Sequence, residues 1–210
     1  MRQIYLSLFF VLGTFLLTIS NTLAMEMGIS FVVNDRMISE LQVQERMKLI
    51  MASSGIPNTK ENRQRLQPQI ENMLIDEALK LDTAEEEGID VTLEEIEGGI
   101  ARIASQNNFS NEQFQQVLKV QGIPRSTLEN QVRSEIAWGK YVQKELRPKI
   151  NISDYDIDAE LERLSEDPKF SKELPTREQV LNKIGNERLG RLQARALMDI
   201  KSGAFIESRG

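Results

Sequence analysis

Residues 91–114 of the chain, VTLEEIEGGIARIASQNNFSNEQF, contain two complete helix starts. Thr92 is followed three residues later by Glu95, and Ser110 is followed in the same way by Gln113. In such a capping box the hydroxyl accepts a hydrogen bond from the third amide of the helix, while the acid or amide side chain reaches back to the amide of the cap residue. The stretch therefore predicts one helix that begins after Thr92 and a second that begins after Ser110.

Apolar residues in the same stretch follow a helical period. The residue before each cap, Val91 or Phe109, can pack against an apolar residue in the next turn, as in a hydrophobic staple. Spacing of three, four and three residues then places one apolar seam on a single helix face. The seam consists of Leu93, Ile96, Ile100 and Ile103.

The same kind of helix start recurs along the chain, and it favours a mainly α fold. Further capping boxes are predicted for Ser39 with Gln42, Ser126 with Glu129 and Thr176 with Gln179, with a weaker variant at Ser153 and Asp156.

The predicted helices account for most of the chain. Pro68 interrupts the second one, so this helix either kinks there or begins near Pro68. Gly185 and Gly190 weaken the last helix by roughly 1 kcal/mol each relative to Ala. A break in this helix near Gly185 is therefore an alternative to one continuous helix. The helices are predicted at residues 40–54, 60–87, 93–107, 111–121, 127–145, 154–164 and 177–202.

Strand-like sequence occurs near both ends of the helical region. Residues 29–33, ISFVV, form a short β-type run, and Asn34-Asp35 after it is a turn signal. Residues 204–209, AFIESR, form the second run. A lone strand has no partner for its backbone groups, so we predict that the two runs pair and hold the last helix against the first part of the chain.

Composition excludes several classes of function. The 210 residues contain no Cys and no His. There is therefore no disulfide, no thiol nucleophile, no Ser-His-Asp triad and no imidazole ligand for zinc or copper. The formal net charge is −6, and it becomes −7 if Arg2 is removed with a leader. Such a chain is a poor candidate for nucleic acid, because phosphates require a basic face.

The first residues have the parts of a secretory signal peptide. Arg2 precedes an apolar run at residues 4–19, and Thr22-Leu23-Ala24 offers small residues at a cleavage site. An uncleaved membrane anchor is the alternative, but the run is short for a span of roughly 20 residues. We predict cleavage near Ala24 and export of the product.

Two acidic runs are the candidates for carboxylate chemistry or a metal site. They lie at residues 85–87 and 94–97. The sequence supplies no buried partner for either run, so we interpret both as solvated helix faces. We predict no catalytic residue, no metal and no cofactor.

Methionines and aromatic residues admit two interpretations. They either pack in the core, or they line an adaptable groove for apolar segments of another chain, because Met is flexible and polarisable. The candidates for such a client-binding groove are Met47, Ile50, Met51, Phe109, Phe114, Leu118, Trp138 and Tyr141.

The order of these segments resembles the SurA family of periplasmic chaperones for outer-membrane proteins. The resemblance covers about residues 29–164, and the tail at 191–209, RLQARALMDIKSGAFIESR, is similar to the closing helix and strand of that family. The stretches that carry it are FVVNDRMIS at 31–39, LIDEALKLDTAEEEGIDVT at 74–92, IARIASQNNFSNEQF at 100–114 and LRPKINIS at 146–153.

One departure from the family bears on function. SurA proteins usually carry one or two parvulin-type prolyl isomerase domains between the N-terminal domain and the final helix. Here that position holds only residues 165–175, SEDPKFSKELP. The resemblance thus implies a signal peptide at 1–24, a chaperone domain at 25–164, a linker at 165–175, and a helix and strand at 176–210 that fold back on the domain.

The resemblance implies binding without catalysis. We expect an ATP-independent periplasmic holdase that binds unfolded outer-membrane β-barrel proteins or aromatic-rich peptides and assists their folding and assembly, with contact to the outer-membrane assembly machinery. A divergent prolyl isomerase and an adaptor for a single periplasmic partner remain the alternatives.

Overall fold

The computed structural model describes residues 28–167, 170 and 174–209. The predicted signal peptide lies outside the described residues, as does half of the predicted linker. No helix in the described part of the chain is both long enough and apolar enough to cross a membrane.

A small antiparallel sheet joins the two ends of the described chain. Its strands are β1 (Ile29–Val33), β2 (Arg36–Ser39) and β3 (Ile206–Ser208), in the order β2-β1-β3. The predicted pairing of the terminal segments is confirmed, since β3 runs antiparallel to β1. Sequence reasoning missed β2, which is only four residues long and buries only Ile38, so it shows no alternating pattern.

Seven helices in the described residues confirm the mainly α fold. A π-helical turn at Val142–Leu146 and a 3-10 turn at Arg147–Lys149 follow the fifth helix, where the sequence predicted a continuous helix to residue 145. The helices are α1 (Glu40–Ser53), α2 (Lys60–Glu86), α3 (Leu93–Gln106), α4 (Asn111–Val120), α5 (Arg125–Tyr141), α6 (Asp154–Ser165) and α7 (Arg177–Gly203).

Most of the predicted helix starts are confirmed, and one is wrong. Complete capping boxes stand at Ser39, Thr92, Ser110, Ser153 and Thr176. The predicted box at Ser126 does not form, because α5 begins at Arg125, two residues earlier than predicted, with Pro124 as its cap residue. Glu129, which was expected to reach back to Ser126, instead accepts a hydrogen bond from Arg125 Nε at 2.6 Å.

Two helices pass through residues at which a break was considered. α2 continues through Pro68, which lies on the exposed side, so the carbonyl of Gln64 that loses its partner can bind water. α7 continues through Gly185. A Cβ atom at Gly185 would lie 3.4 Å from Ile152 Cδ1, so the small residue lets α7 approach the chain before α6 closely.

The described chain has two parts, which we name the body (residues 28–149) and the arm (residues 154–209). One apolar cluster in the body lies between the sheet, α1 and α2, and another joins α1 with α3, α4 and α5. A third cluster, around Trp138, is completed by side chains of α7. The arm has its own small cluster, formed by α6, Phe170 and the first turns of α7.

Candidate functional site

Asn34 fixes the point at which the arm returns to the body. Its side-chain amide donates to Asp82 Oδ2 at 2.9 Å, and its Oδ1 accepts from the amide of Phe205 at 3.0 Å. Its own backbone amide donates to the Phe205 carbonyl at 2.8 Å. Asn34 has φ of 50°, in the left-handed region that Asn tolerates better than most residues. One turn residue thus holds β3 beside β1 and α2.

An open cleft of about 620 Å³, which we name the methionine cleft, lies where β1 and β3 meet α1 and α2. Ser208, the last residue of β3, is on its wall. Lys48, Arg63, Glu40 and Glu71 supply charges of both signs around it. Its apolar lining is Phe31, Val43, Met47 and Met51.

A second cleft, of about 890 Å³, lies beside the residues that precede β3, and we name it the acidic cleft. Arg36 is the only cation in its lining, where it binds Asp82 and Glu85. Leu79, Ile200 and Ala204 give it an apolar floor. Its carboxylates are Asp35, Asp82, Glu85, Glu86, Glu87 and Asp199.

Tyr141 lies on the wall of the acidic cleft and is half-buried. Burial raises the pKa of its phenol, and the negative charges of Glu87 and Glu145 raise it further. The ring stacks on Trp138 with 5.0 Å between ring centroids, and Lys80 Nζ lies 5.9 Å from the centroid of the indole. The phenol therefore stays neutral at physiological pH and presents an apolar ring with a hydrogen-bonding tip to the cleft.

An apolar seam on α7 extends this surface. Five side chains of α7 pack against Trp138, Val142 and Leu146, yet each remains partly exposed. The seam therefore offers solvent-accessible apolar area along a helix that only half closes over the body. It consists of Leu189, Leu192, Ala196, Leu197 and Ile200.

The structure distributes the eight predicted groove residues over three places. Met47 and Met51 are buried in the cluster beneath the sheet and line the methionine cleft, with Ile50 packed against that cluster. Phe114 and Leu118 are buried in the cluster around α3, and Phe109 stacks on Phe114 at 6.3 Å with 39% of its surface exposed. Trp138 and Tyr141 lie together at the α7 seam. The eight residues do not form one continuous surface, and their role as a groove stays a prediction.

Several residues of these clefts were not candidates at the level of sequence. Phe31 was assigned to a strand, and Ile200 to the apolar seam of the last helix. Neither pattern distinguishes a side chain that closes a core from one that lines a cleft. Asn34 had a recognisable signal, the Asn-Asp turn, but not its bonds to Asp82 and Phe205, because these partners are 48 and 171 residues away.

The structure places the two acidic runs, at residues 85–87 and 94–97, in different surroundings. The first lines the acidic cleft, and in the second Glu95 binds Lys140, whose hydrogen bond lowers the pKa of the carboxylate. Within the described ranges, no group of three or more acidic residues has the geometry to hold a metal ion.

Comparison with known proteins relates the chain to one family of chaperones. A protein described as Chaperone SurA from Methylobacillus flagellatus is 29% identical over 128 residues, which cover 60% of this chain and 29% of that protein. Chaperone SurA from Pseudomonas syringae pv. syringae is 30% identical over 131 residues, or 60% of this chain and 30% of the relative. The corresponding protein of Salmonella choleraesuis is 27% identical over 150 residues, or 71% and 35%.

The matched stretch thus spans about a third of the length of these curated relatives. The family model described as SurA N-terminal domain matches residues 28–142, which include the sheet hairpin, α1 to α5 and Tyr141. This match covers more than half of the chain, and the chain therefore belongs to the SurA N-terminal domain family.

Proposed function

We propose that this protein is a chaperone that binds unfolded polypeptides without ATP and without catalysis. The observation that carries the proposal is the pair of open clefts next to β3, each with an apolar floor and a charged rim. An extended chain segment presents side chains alternately to two sides, so one face can enter an apolar cleft while its backbone stays near polar groups. Relatives named as chaperones support the same function.

Each cleft supplies a weak contact that tolerates many sequences. Met47 and Met51 can adapt to side chains of different shape, because the thioether is flexible and polarisable. Tyr141 and the α7 seam add aromatic and aliphatic area that is partly desolvated already. Several weak contacts hold a client reversibly and cover its strand edges until it folds.

The clients are unfolded outer-membrane β-barrel proteins, and the compartment is the periplasm. This finer assignment is supported by the leader-like residues 1–24 and by the resemblance of the chain to periplasmic SurA chaperones. The formal net charge of −6 favours solubility of a complex that carries exposed apolar segments. Contact with the outer-membrane assembly machinery belongs to the same proposal.

An aggregation assay tests the proposal. A urea-unfolded outer-membrane β-barrel protein is diluted into buffer with the purified chain, and light scattering is followed over time. We expect strong suppression at near-equimolar ratio, and no suppression at tenfold excess would contradict the proposal.

Two substitutions in α7 test whether the acidic cleft is needed to suppress aggregation. Ile200→Ser alters the acidic cleft, whereas Met198→Ser alters a neighbouring side chain that is 71% exposed and lines none of the clefts described above. We expect Ile200→Ser to weaken suppression and Met198→Ser to leave it unchanged, with circular dichroism confirming that both variants fold.

Absence of catalysis is tested separately. The chain is added to a short proline peptide, and cis–trans exchange is followed by NMR. We expect the rate in buffer alone, because the position that holds parvulin domains in SurA proteins contains only residues 165–175. A rate that rises in proportion to the chain concentration would establish an isomerase instead. Cross-linking in periplasmic extract separates the adaptor alternative, which predicts one stoichiometric partner rather than many β-barrel clients.

A further inference from the structure

The outer edge of the sheet is formed by β2. In the order β2-β1-β3, β1 has partners on both sides, whereas no other strand in the described part of the chain pairs with β2. Met37 in β2 is 66% exposed. An edge strand carries backbone amides and carbonyls that can pair with another extended chain.

A cavity of about 430 Å³, which we name the edge cleft, lies beside this strand. Arg36, Met37 and Ile38 of β2 form one wall. The lining also includes apolar side chains of α2 and polar side chains of α5. Its volume falls within the roughly 300–1,000 Å³ of ligand-binding pockets. The edge cleft shares only Arg36 with the acidic cleft and no residue with the methionine cleft.

Most charged groups of the edge cleft already have partners. Arg46 is almost fully buried and binds Glu77 through both terminal nitrogens, with Nη2 to Oε2 at 2.9 Å. Glu45 accepts a hydrogen bond from the hydroxyl of Thr127 at 3.0 Å. Arg36 is paired with carboxylates of α2. Glu45 keeps its negative charge, because a hydroxyl donor does not neutralise a carboxylate.

Arg133 differs from these neighbours. It is half-buried in the lining of the edge cleft, and no carboxylate of the described chain lies within 4.0 Å of its guanidinium. A partly buried arginine side chain without an acidic partner is an uncommon arrangement, because burial of a charge is unfavourable unless it is paired. The lining holds three arginines and two glutamates, so a carboxylate from outside this chain would complement its net charge of +1.

We propose that an extended polypeptide segment carrying Asp or Glu adds to the sheet as a strand along β2, with its carboxylate bound to Arg133. Alternate side chains of the added strand would cover Leu74, Ala78 and Leu81 on α2, which line the same cleft. The opposite edge of β1 already binds a short strand in this manner, through the pairing of β3. The inference rests on the proposed chaperone function and assigns it a mode of binding.

Fluorescence anisotropy with labelled peptides tests this mode. The probes are eight-residue Thr/Val peptides with a central Asp, the same peptide with Asn, and the Asp peptide with N-methyl groups on alternate amides. We expect the Asp peptide to bind about tenfold more tightly than the Asn peptide, the lower range for a hydrogen bond to a charged group. N-methylation should abolish binding, because it removes the donors that pair with a strand edge.

A matched pair of arginine variants assigns the charge. Arg133→Gln should reduce the preference for Asp over Asn to about one, whereas Arg102→Gln, an exposed residue of α3 outside the clefts, should preserve it. Thermal unfolding confirms that both variants fold. Equal binding of the N-methylated peptide, or an unchanged preference in Arg133→Gln, would overturn the proposal.

Two further measurements separate this inference from the proposed function. If none of the peptides binds while the chain still suppresses aggregation of the β-barrel protein, strand addition at β2 is wrong and the chaperone function stands. If peptide binding and suppression are both absent, the proposed function is wrong as well. If the occupant of the edge cleft is instead a second copy of this chain, sedimentation velocity detects a dimer. A dimer that excludes the Asp peptide would overturn the assignment to an external segment.

Discussion

In the body, α1 to α5 surround two apolar clusters whose central side chains are almost inaccessible to solvent, whereas in the arm Val180 is the only residue of α7 that is fully buried. The arm instead carries acids on α6 and bases on α7 that face each other. These ion pairs are Asp154 and Asp158 with Arg177, Asp156 with Arg188, and Glu160 with Lys183.

The two parts therefore depend on different forces. Burial of apolar area stabilises the body strongly, since each buried side chain contributes on the order of 1.5–3 kcal/mol. Exposed ion pairs contribute roughly 0–1 kcal/mol and are screened by salt. We infer that the arm opens more easily than the body unfolds. Opening at the α7 seam would expose more apolar surface.

One substitution in each part tests whether the body and the arm unfold independently. Leu79 in α2 and Leu164 in α6 are both nearly inaccessible. Leu79→Ala should lower the free energy of unfolding by about 2–5 kcal/mol through lost contacts and a cavity. Leu164→Ala should instead increase amide exchange in the arm and leave the main urea transition, followed by circular dichroism, near that of the wild type. Equal losses in the main transition would show that the body and the arm unfold as one unit.

The link between the two parts is tested at Asn34. Asn34→Gly keeps the left-handed backbone but removes the side-chain bonds to Asp82 and to the Phe205 amide, and we expect a loss of about 1–3 kcal/mol. Asn34→Ala should lose about 1 kcal/mol more, because its Cβ disfavours a φ of 50°. Urea unfolding of both variants gives the two losses. Identical values would mean that backbone strain at this turn is negligible.

The sequence allowed much of the fold to be predicted, because most of the signals are local. A capping box at Thr92 or Thr176 involves residues three apart, so the sequence reveals both partners. β2 was missed because a four-residue strand ending at a capping box has too little pattern to detect. The box at Ser126 was wrong because the helix already begins at Arg125, so Ser126 lies inside it and Glu129 pairs with Arg125 four residues away.

The candidate site was less accessible to sequence reasoning. Met47 and Phe109 have similar apolar character, yet one is buried beneath the sheet and the other is exposed beside α4. Whether such a residue is buried or exposed depends on how distant segments pack around it. The clefts depend on where β3 returns, and its register against β1 is set by contacts more than 170 residues apart.

Matched cap substitutions extend the comparison at a smaller scale. Thr92→Ala and Thr176→Ala each remove the hydroxyl that accepts from the third amide of a helix, which costs about 1 kcal/mol. We expect Thr92→Ala to lower the urea midpoint of the body. Thr176→Ala should increase hydrogen exchange only in the first turns of α7. A shift of the main transition by Thr176→Ala would contradict the independence of the arm.

Acid should weaken the arm by a smaller amount, because its ion pairs are exposed to solvent. The pKa of Asp156 is lowered from 3.8 to about 2 by the Ser153 amide and by Arg188, and that of Glu160 from 4.5 to about 2 by Arg163 and Lys183. Since both pKa values are lower in the folded arm than in the unfolded chain, the stabilisation is complete above pH 4.5 and is lost as the pH falls towards about 2.

Trp138, the single tryptophan, packs against α7, so its fluorescence reports acid-induced weakening of the arm. We expect its emission to shift to longer wavelength between pH 4.5 and 2, before far-UV circular dichroism shows loss of the body helices. In the double variant Asp156→Asn, Glu160→Gln these two groups no longer titrate, so the contact between α6 and α7 should be weaker at neutral pH and the acid response flatter. An unchanged acid midpoint in the double variant would show that other carboxylates control the acid response of the arm.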